Sequence, residues 1–402
     1  KFVLAISGGA DSMVLLWLAS HVKNVKKRGF VLSVDHGLRK EAKVETALVR
    51  GVAKKYGLPY QTLYWKPEKK PKSDIQAQAR GARYGLMQGW MERRKIGYLV
   101  TAHHLEDQAE TFLLRLARGS GVDGLSAMSR SRLQGSVHLI RPLLGFSSAN
   151  FRKILIKNKL QWVEDPSNEN VNFARVRMRK LMPLLAEEGM DAVLLAKTAN
   201  AMGRARFALE QKTAELWQCY MSAPVMGILC FDPEGLLCES DETALRLLAN
   251  AIAQIAGGIY RPRLASLQRL LGAMRKSEVK GITLGGCQIA PFRGKWLFFP
   301  EIAHIVSQNL KPSQPAFFTP TLEIRLPVRQ KPVKLAPLGR QGLAYLRKKQ
   351  HETPPLPAAA LHSLPALWRK NTLFACPSLH FGQKCSIKWH QNDKNYPRPL
   401  VF

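Results

Sequence analysis

A short loop of small residues carries the clearest chemical signal in the sequence. The six residues Ser7 to Ser12 (SGGADS) lie between an apolar strand-like run and the apolar stretch Met13 to Ala19. A glycine-rich turn in that context brings backbone N–H groups and a helix N-terminus together on phosphate oxygens. Ser7 and Ser12 add hydroxyl donors, and Asp11 can hold the Mg²⁺ that neutralises the phosphates. The loop is predicted to bind a nucleotide, and a strand-to-helix turn capped by Asp11 and Ser12 is the alternative.

Two common nucleotide-binding motifs do not apply to this chain. The chain has no G-x-x-x-x-G-K-[ST] sequence, so the first loop is not a Walker loop. The run GSGVDG, from Gly119 to Gly124, matches G-x-G-x-x-G but follows the helix-like stretch Leu105 to Arg118 rather than a strand. Because a dinucleotide-binding turn follows a strand, we interpret this run as a loop that could close on a substrate.

Histidine, carboxylate and arginine side chains form the other candidate groups. His103 and Asp107 are four residues apart at the start of a predicted helix, so they share one face and can meet near a nucleotide. A structural role stays open for both His103 and its neighbour His104. The arginines are candidates for phosphate or RNA contacts, with a solvated surface as the alternative, and they are Arg80, Arg83, Arg175, Arg177 and Arg179.

The elements that must position these groups form an α/β pattern. Short runs rich in Val, Ile, Leu and Tyr alternate with helical stretches and are predicted to be buried strands at Phe2 to Ile6, Phe30 to Val34, Leu58 to Tyr64 and Tyr98 to Ala102. The alternation predicts a parallel α/β sheet. Leu139 to Leu144 is a candidate further strand, and a basic helical segment, Phe173 to Leu185, closes the region. The first domain is therefore expected at residues 1–187.

Two more domains are predicted, because 402 residues are too many for one compact core. Residues 188–310 are expected to be mainly helical, opening with a long helix over residues 191–217. The stretch 311–320 carries three prolines and is predicted to be an extended linker. Residues 316–402 are expected to form a small mixed α/β domain, with strands around Leu322 to Val328.

The charge balance favours a polyanionic partner. Lysine and arginine total 61 against 29 acidic residues, a formal charge of +32, and residues 301–402 carry 15 basic and 4 acidic residues. Nucleic acid is the predicted partner. A membrane is not expected, because the sequence has neither a long apolar span nor a basic amphipathic helix.

The cysteines favour a reducing compartment. All six lie at or beyond position 219, and no C-x-x-C pair signals a zinc or redox site. A cytoplasmic location is predicted. Residue 1 is lysine, so the natural start and any targeting segment stay open.

Several segments together resemble a known family. The SGGADS loop resembles the PP-loop of N-type ATP pyrophosphatases, which split ATP between the α and β phosphates. Further segments are similar, in the same order, to the tRNA(Ile)-lysidine synthetases: VDHGLR (34–39), IQAQAR (75–80), TAHHLEDQAET (101–111), RGSG (118–121) and EDPSN (164–168). The resemblance covers roughly the first 185 residues, and the later domains resemble the long, three-domain form of the family loosely.

The resemblance implies a reaction at the wobble cytidine, C34, of a tRNA(Ile) with a CAU anticodon. ATP adenylates the C2 carbonyl oxygen of the base, pyrophosphate leaves, and the ε-amine of free L-lysine displaces AMP to give lysidine. Activation is needed because an amide-like oxygen is a poor leaving group, whereas AMP is a good one. The enzyme contributes positioning and charge neutralisation.

The resemblance also implies roles for individual residues. The catalytic residues are Asp11, His103 and Asp107, with Asp11 and Asp107 around Mg²⁺ and His103 at the phosphates or the developing charge. The ATP-binding residues are Ser7, Gly8, Gly9, Ala10, Asp11, Ser12, Asp35, His36 and Arg80. Contacts to tRNA or phosphate are expected from Arg175, Arg177 and Arg179. A carboxylate such as Glu110 or Glu164 suits the amine of lysine. The C-terminal domain is expected to clamp the tRNA, and a homodimer is compatible with the sequence.

Three other functions fit the sequence less well. Another PP-loop enzyme that thiolates tRNA would need sulfur-carrying cysteines near the ATP site, and no cysteine precedes position 219. PP-loop amidotransferases depend on a glutaminase module, which nothing here resembles. A non-catalytic RNA-binding protein accounts for the charge but leaves the phosphate loop and the histidine–aspartate segment without a purpose.

Overall fold

The described part of the chain forms two compact units. A computed structural model describes residues 1–37, 42–66, 75–164, 170–234, 239–257, 262–276, 281–312, 314–327, 330–383 and 385–390, without the side chains of 75–77. Contacts group the chain into Lys1–Phe207 and Ala208–Phe402.

The first unit is built on a six-stranded sheet in the order β3-β2-β1-β4-β6-β5. Five strands are parallel, and β5 pairs antiparallel with β6 at one edge. The strands are β1 Phe2–Ala5, β2 Gly29–Asp35, β3 Tyr60–Tyr64, β4 Tyr98–Val100, β5 Ser131–Gln134 and β6 Val137–Ile140.

Helices cover both faces of this sheet and bury its apolar side chains. The helices are α1 Ala10–Ser20, α2 Val25–Arg28, α3 Ala42–Lys55, α4 Ile75–Arg93, α5 Leu105–Leu116, α6 Val122–Leu125, α7 Ser148–Lys157, α8 Ala174–Glu187 and α9 Ala192–Tyr220. Residues of α1, α3 and α7 form the core on one face, and residues of α4 form the core on the other. Because both faces are covered, the strands read as continuous apolar runs.

The strand order places two loops side by side. The strands β2 and β4 flank β1, so the chain reverses direction across the sheet between β1 and β4. Ligands of open parallel sheets bind in the crevice at the carboxyl ends of the strands where this reversal occurs. The SGGADS loop follows β1 and the histidine segment follows β4, and both therefore lie at this crevice.

The predicted α/β fold is confirmed, with differences at element ends. The candidate strand at Leu139 to Leu144 is four residues long and lies at Val137–Ile140. The first unit extends past 187, because Leu195 and Ala199 of α9 share a buried cluster with Ala109 and Phe112 of α5. The three-domain division stays a prediction.

The second unit combines helices with three antiparallel sheets. Its sheets run β7-β8-β11-β10-β9, β12-β15-β16-β17-β18 and β13-β14-β19. The strands are β7 Met221–Val225, β8 Ile228–Phe231, β9 Ile282–Leu284, β10 Cys287–Phe292, β11 Lys295–Pro300, β12 Gln308–Leu310, β13 Pro315–Thr319, β14 Leu322–Arg325, β15 Val333–Pro337, β16 Pro365–Arg369, β17 Thr372–Cys376, β18 Phe381–Gly382 and β19 Ser386–Trp389. The helices are α10 Asp241–Ala256, α11 Leu264–Arg275, α12 Gly339–Lys348 and α13 Ala358–His362, with short 3₁₀ turns at Ile302–His304 and Pro377–Leu379.

The predicted linker at 311–320 is wrong over half its length. Pro315–Thr319 is strand β13, paired antiparallel with β14. Its residues alternate, with Ala316 and Phe318 buried and Phe317 exposed. Proline is tolerated at the first residue of a strand, so the composition did not rule out pairing.

Membrane spans and disulfides are both missing from what the structure describes. None of the described helices combines the length and apolar character needed to cross a bilayer. Five of the six cysteines lie in the described residues, and all five are free thiols.

Adjacent glycines of the loop offer a test of this backbone. Gly8 has a φ of +98°, whereas Gly9 has a φ of −71° and a ψ of 161°. We expect Gly8→Ala to cost about 1–2 kcal/mol, because L-residues are strained at positive φ. The matched control is Gly9→Ala, whose added Cβ would lie 3.8 Å from Ser7 Oγ, an ordinary contact. Urea unfolding of both variants measures the difference, and equal stabilities would contradict this backbone.

Candidate active site

The SGGADS loop is organised around the hydroxyl of Ser12. Its Oγ accepts hydrogen bonds from the backbone N–H of Ser7 at 3.2 Å and of Gly8 at 3.1 Å. The same hydroxyl donates to the carbonyl of Gly9 at 2.8 Å. Ser12 is therefore buried inside the loop, while Ser7 is exposed.

The loop leads into helix α1, whose N-terminus lies at the crevice. Helix α1 begins at Ala10, so its first N–H groups have no partner within the helix and carry the positive end of its dipole. From the other side, the N–H of Val163 donates to the carbonyl of Gly8 at 3.0 Å. The arrangement suits an anion at the start of α1.

One histidine joins the two predicted metal-binding carboxylates. His104 Nε2 lies 3.4 Å from Asp11 Oδ2 and 3.5 Å from Asp107 Oδ2. Asp107 also accepts the backbone N–H of His104 at 3.1 Å and so caps the start of α5. Asp11 and Asp107, which lie 96 positions apart in the sequence, thus meet at a single imidazole.

Glu106 holds this imidazole from its other side. Its Oε2 lies 2.8 Å from His104 Nδ1, and it accepts hydrogen bonds from Ser147 Oγ at 2.5 Å and from the N–H of Ser148 at 3.1 Å. Burial opposes ionisation of Glu106, but the bonds to His104, Ser147 and Ser148 outweigh it and lower its pKa to about 2. The start of α7 is thereby tied to the start of α5.

His104 is consequently a cation at neutral pH. Burial alone would lower its pKa, but the hydrogen bonds with Asp11 and Glu106 and the charge of Asp107 raise it to about 10. The imidazolium balances three carboxylates in a partly buried site.

His103 has the opposite character. Its pKa is lowered to about 3, first by burial and then by the nearby charges of Arg141, Arg80 and Arg175, against the attraction of Asp107. Its Nδ1 lies 2.8 Å from Thr101 Oγ1. A neutral ring has one N–H, so when Thr101 donates to Nδ1, Nε2 is the donor that His103 offers.

The buried cation Arg141 was not predicted from the sequence. It is 4% exposed, follows β6, and donates from Nη1 to the carbonyl of Ser129 at 2.7 Å. Burial lowers its pKa, against the opposing effects of Tyr84 and of the charge of Asp107. Its position just past the carboxyl end of a parallel strand was the available signal, but no motif marked it.

Two arginines of α8 converge on Glu110 of α5. Arg175 Nε lies 3.0 Å from Glu110 Oε2, and Arg179 Nε donates to Glu110 Oε1 at 2.7 Å. Arg175 Nη2 also donates to Thr111 Oγ1 at 3.0 Å and lies 3.9 Å from Asp107 Oδ1. Glu110 is fully buried by these contacts, so it is less accessible to a lysine ammonium than the sequence suggested.

The remaining predicted residues make local contacts outside this cluster. Arg177 donates to the carbonyls of Val171 and Asn172, which places it at the start of α8. Asp35, at the end of β2, accepts the N–H of Gly37 at 2.8 Å, and the ring of His36 packs edge-on against Trp65.

Arg80 is exposed, with its guanidinium 5.3 Å from the centre of the Tyr84 ring. Its charge also reaches the crevice, since it lowers the pKa of both His103 and Arg141. Two motif segments, Leu38–Arg39 and 165–168, lie outside the described residues.

Glu164 is the more accessible of the two carboxylates suggested for lysine. Its side chain is 64% exposed and accepts hydrogen bonds from Trp162 Nε1 at 2.8 Å and Arg152 Nη2 at 3.3 Å. It directly follows Val163, the residue bonded to the loop carbonyl of Gly8. The carboxylate is therefore tethered close to the SGGADS loop.

The carboxylate pair fits a magnesium ion that arrives with a nucleotide. Among the described residues, no group of three or more His, Cys, Asp and Glu side chains is arranged to hold a metal by itself. Mg²⁺ commonly binds through one or two carboxylates together with substrate phosphates, so a dedicated cage is not required. Asp11, with a side chain 41% exposed, and Asp107 are the two carboxylates that would supply such oxygens.

Comparison with known proteins identifies the family. The family model for the PP-loop domain matches residues 1–185. The tRNA(Ile)-lysidine synthase of Ruegeria pomeroyi is 36% identical over 404 residues, covering 99% of this chain and 93% of that protein. This chain belongs to the tRNA(Ile)-lysidine synthase family. The family member from Wolbachia pipientis wMel is 31% identical, covering 96% of this chain and 90% of that protein.

A solved structure gives a much weaker likeness. The U34-tRNA thiolase NcsA from Methanococcus maripaludis, with its [4Fe-4S] cluster, aligns with a TM-score of 0.43 and 16% identity, over 51% of this chain and 72% of that chain. This likeness is too weak to support an argument about function.

The raised pKa of His104 predicts a specific dependence of stability on pH. The stabilisation by its protonated ring is complete below its ordinary pKa of 6.5 and is lost as pH rises toward about 10. In a chelator, the unfolding midpoint of the intact chain should therefore fall between pH 7 and 10. His104→Gln should lower stability by about 2 kcal/mol at pH 7 and remove part of the fall. Thermal melts at several pH values test this, and parallel curves for the two proteins would refute it.

Proposed function

We propose that the chain catalyses ATP-dependent ligation of free L-lysine to C2 of the wobble cytidine, C34, of a tRNA(Ile) with a CAU anticodon. The observation that carries the proposal is the near full-length match to named tRNA(Ile)-lysidine synthases. The site geometry supports it, because a helix N-terminus, paired carboxylates and several cations converge at one crevice. The products are lysidine, AMP and pyrophosphate, and the reaction takes place in the cytoplasm.

The reaction has two balanced steps. In the first, the C2 oxygen of the cytidine attacks the α-phosphorus of ATP, and the bond to the β-phosphate oxygen breaks, so that pyrophosphate leaves. In the second, the ε-amine of lysine attacks C2, the C2–O bond breaks, AMP leaves, and the amine loses a proton. Both steps depend on holding charged groups in a fixed geometry.

Residues of the crevice divide these tasks. The N-terminus of α1 and the arginines Arg80, Arg141, Arg175 and Arg179 provide positive potential for a triphosphate. Neutral His103 offers an N–H donor to a phosphate oxygen or to the developing charge. Asp11 and Asp107 would hold Mg²⁺, which supplies charge neutralisation at the phosphates when it is bound.

A tRNA thiolase is the second candidate, and cysteine placement argues against it. Sulfur transfer near the ATP site requires a cysteine in the PP-loop domain, but the first cysteine of the chain is Cys219.

In the second step of the ligation, Glu164 is the carboxylate best placed to orient the lysine, because it is exposed and adjoins the SGGADS loop.

The reaction products and two carboxylates test the proposed function. With tRNA and lysine, the nucleotide products should be AMP and pyrophosphate, and lysidine should appear by mass analysis of the wobble nucleoside. Asp11→Asn and Asp107→Asn should each lower turnover at least a hundredfold, because each removes a charge assigned to the metal. The control is Glu187→Gln, at an exposed carboxylate at the end of α8. Formation of ADP and phosphate, or normal turnover in either Asp variant, would disprove the mechanism.

The C-terminal clamp is testable on helix α12. Burial lowers the pKa of His362, and the charges of Arg340 and Arg347 lower it further. The two arginines therefore share one face of α12. Lys348 is exposed beside them. Changing all three to Gln should weaken tRNA affinity and reduce the salt slope of binding by about two units, since phosphate contacts are lost. Removing the C-terminal domain by truncation near Lys311 is not a suitable test of the clamp, because it would take away β15, the strand that pairs with β12. Filter binding across a salt series decides, and an unchanged slope would exclude α12 from the tRNA contact.

A further inference from the structure

A dense basic surface lies at the end of the parallel sheet opposite the candidate active site. The segments 21–28, 53–59 and 91–97 lead into β2, β3 and β4, whose N-termini share that edge because the strands are parallel. These segments carry nine basic residues and one acidic residue, Glu92. We call the nine the basic edge, and they are Lys23, Lys26, Lys27, Arg28, Lys54, Lys55, Arg93, Arg94 and Lys95.

The charges of the basic edge are exposed, and a single acidic residue of the three segments, Glu92, offsets them through its interaction with Arg93. All nine side chains are exposed, and none forms an ion pair within the part of the chain that the structure describes. Arg94 instead stacks its guanidinium 4.1 Å from the centre of the buried Trp90 ring. Glu92 is already engaged by Gln88 and Ser136.

Helix stability explains only part of this concentration. Basic residues in the last turn of a helix interact favourably with its dipole. This accounts for six of the nine, which are Lys26, Lys27, Arg28, Lys54, Lys55 and Arg93. Lys23, Arg94 and Lys95, however, lie outside the helices. Three separate segments thus add positive charge to the same edge, where mutual repulsion opposes it.

A groove adjoins the basic edge along β3, which is an edge strand. A cavity of about 570 Å³ is lined by Arg50 and Lys54 of α3 and by Gly57 to Thr62 and Tyr64. The Arg50 guanidinium lies 5.7 Å from the centre of the Tyr60 ring, and Tyr64 is 58% exposed. No acidic side chain is among these lining residues. A groove that contains both cations and an exposed aromatic ring suits a phosphate backbone and a stacked base.

We propose that the basic edge and this groove bind the ribose–phosphate backbone of the tRNA away from its anticodon. The proposal rests on the proposed function, which requires the wobble base at the opposite edge of the same sheet. The seven residues of β2, at ~3.3 Å each, separate the two edges by roughly 20 Å, which is short compared with a tRNA. The contact reads backbone rather than sequence, so it contributes affinity and orientation.

The test compares two variants of the intact chain at the same four positions. In the neutral variant, Lys27, Arg28, Lys54 and Lys55 are changed to Gln. In the charge-preserving control, the lysines become Arg and Arg28 becomes Lys. Binding of tRNA(Ile) is measured by filter binding from low to high salt, and lysidine formation is measured with varied tRNA. Circular dichroism and ATP-induced thermal shifts establish that both variants are folded, and the pairs Lys27/Arg28 and Lys54/Lys55 replace the fourfold variant if it does not fold.

The neutral variant should bind tRNA about tenfold to a hundredfold more weakly at low salt, and its salt slope should be smaller by about three units. Its KM for tRNA should rise while kcat at saturating tRNA stays within about twofold, and the control should match the unmodified chain. An unchanged slope and KM in an otherwise active protein would overturn the inference alone. Binding to phosphatidylserine vesicles is measured in parallel. If the neutral variant lost vesicle binding but kept its tRNA binding, the basic edge would be a membrane-binding surface, and the inference would also be overturned. Absence of lysidine formation by the unmodified chain would instead overturn the proposed function.

Discussion

The candidate site depends on one positive charge held among three carboxylates. His104 contacts Asp11 from the loop after β1 and Asp107 and Glu106 from the start of α5. Without a cation there, these carboxylates would repel one another in a partly buried crevice. Because Glu106 also binds the start of α7, the same interaction fixes three helix N-termini relative to the sheet.

Charge pairing extends outward from this centre in layers. Glu110 lies one turn after Glu106 on α5 and is enclosed by Arg175 and Arg179 of α8. These arginines are 36% and 47% exposed, so Glu110 does not enclose either side chain completely. A fully buried carboxylate thereby aims two cations at the place where a triphosphate is proposed to lie, and substituting Glu110 would disorient both.

Much of the catalytic unit could be predicted from the sequence, because its signals are local. Apolar runs predicted the first four strands, β1 to β4, and SGGADS predicted a turn into helix α1. The strand at Pro315–Thr319 was missed because proline content signals a linker, whereas a partner strand decided the outcome. Arg141 was missed because its burial depends on residues far away in the sequence. The contact of His104 with Asp11 depends on which of the two adjacent rings faces the loop, and spacing alone cannot show that.

The hydrogen bonds of Ser12 have a consequence for the thermodynamics of nucleotide binding. Since its hydroxyl engages Ser7, Gly8 and Gly9 within the loop itself, the loop loses its conformational entropy when the protein folds. An arriving nucleotide then meets a preorganised surface, and little ordering opposes its association. Nucleotide specificity must accordingly come from the fit between the nucleotide and a rigid loop. Even small changes in loop shape should therefore change the affinity for the nucleotide.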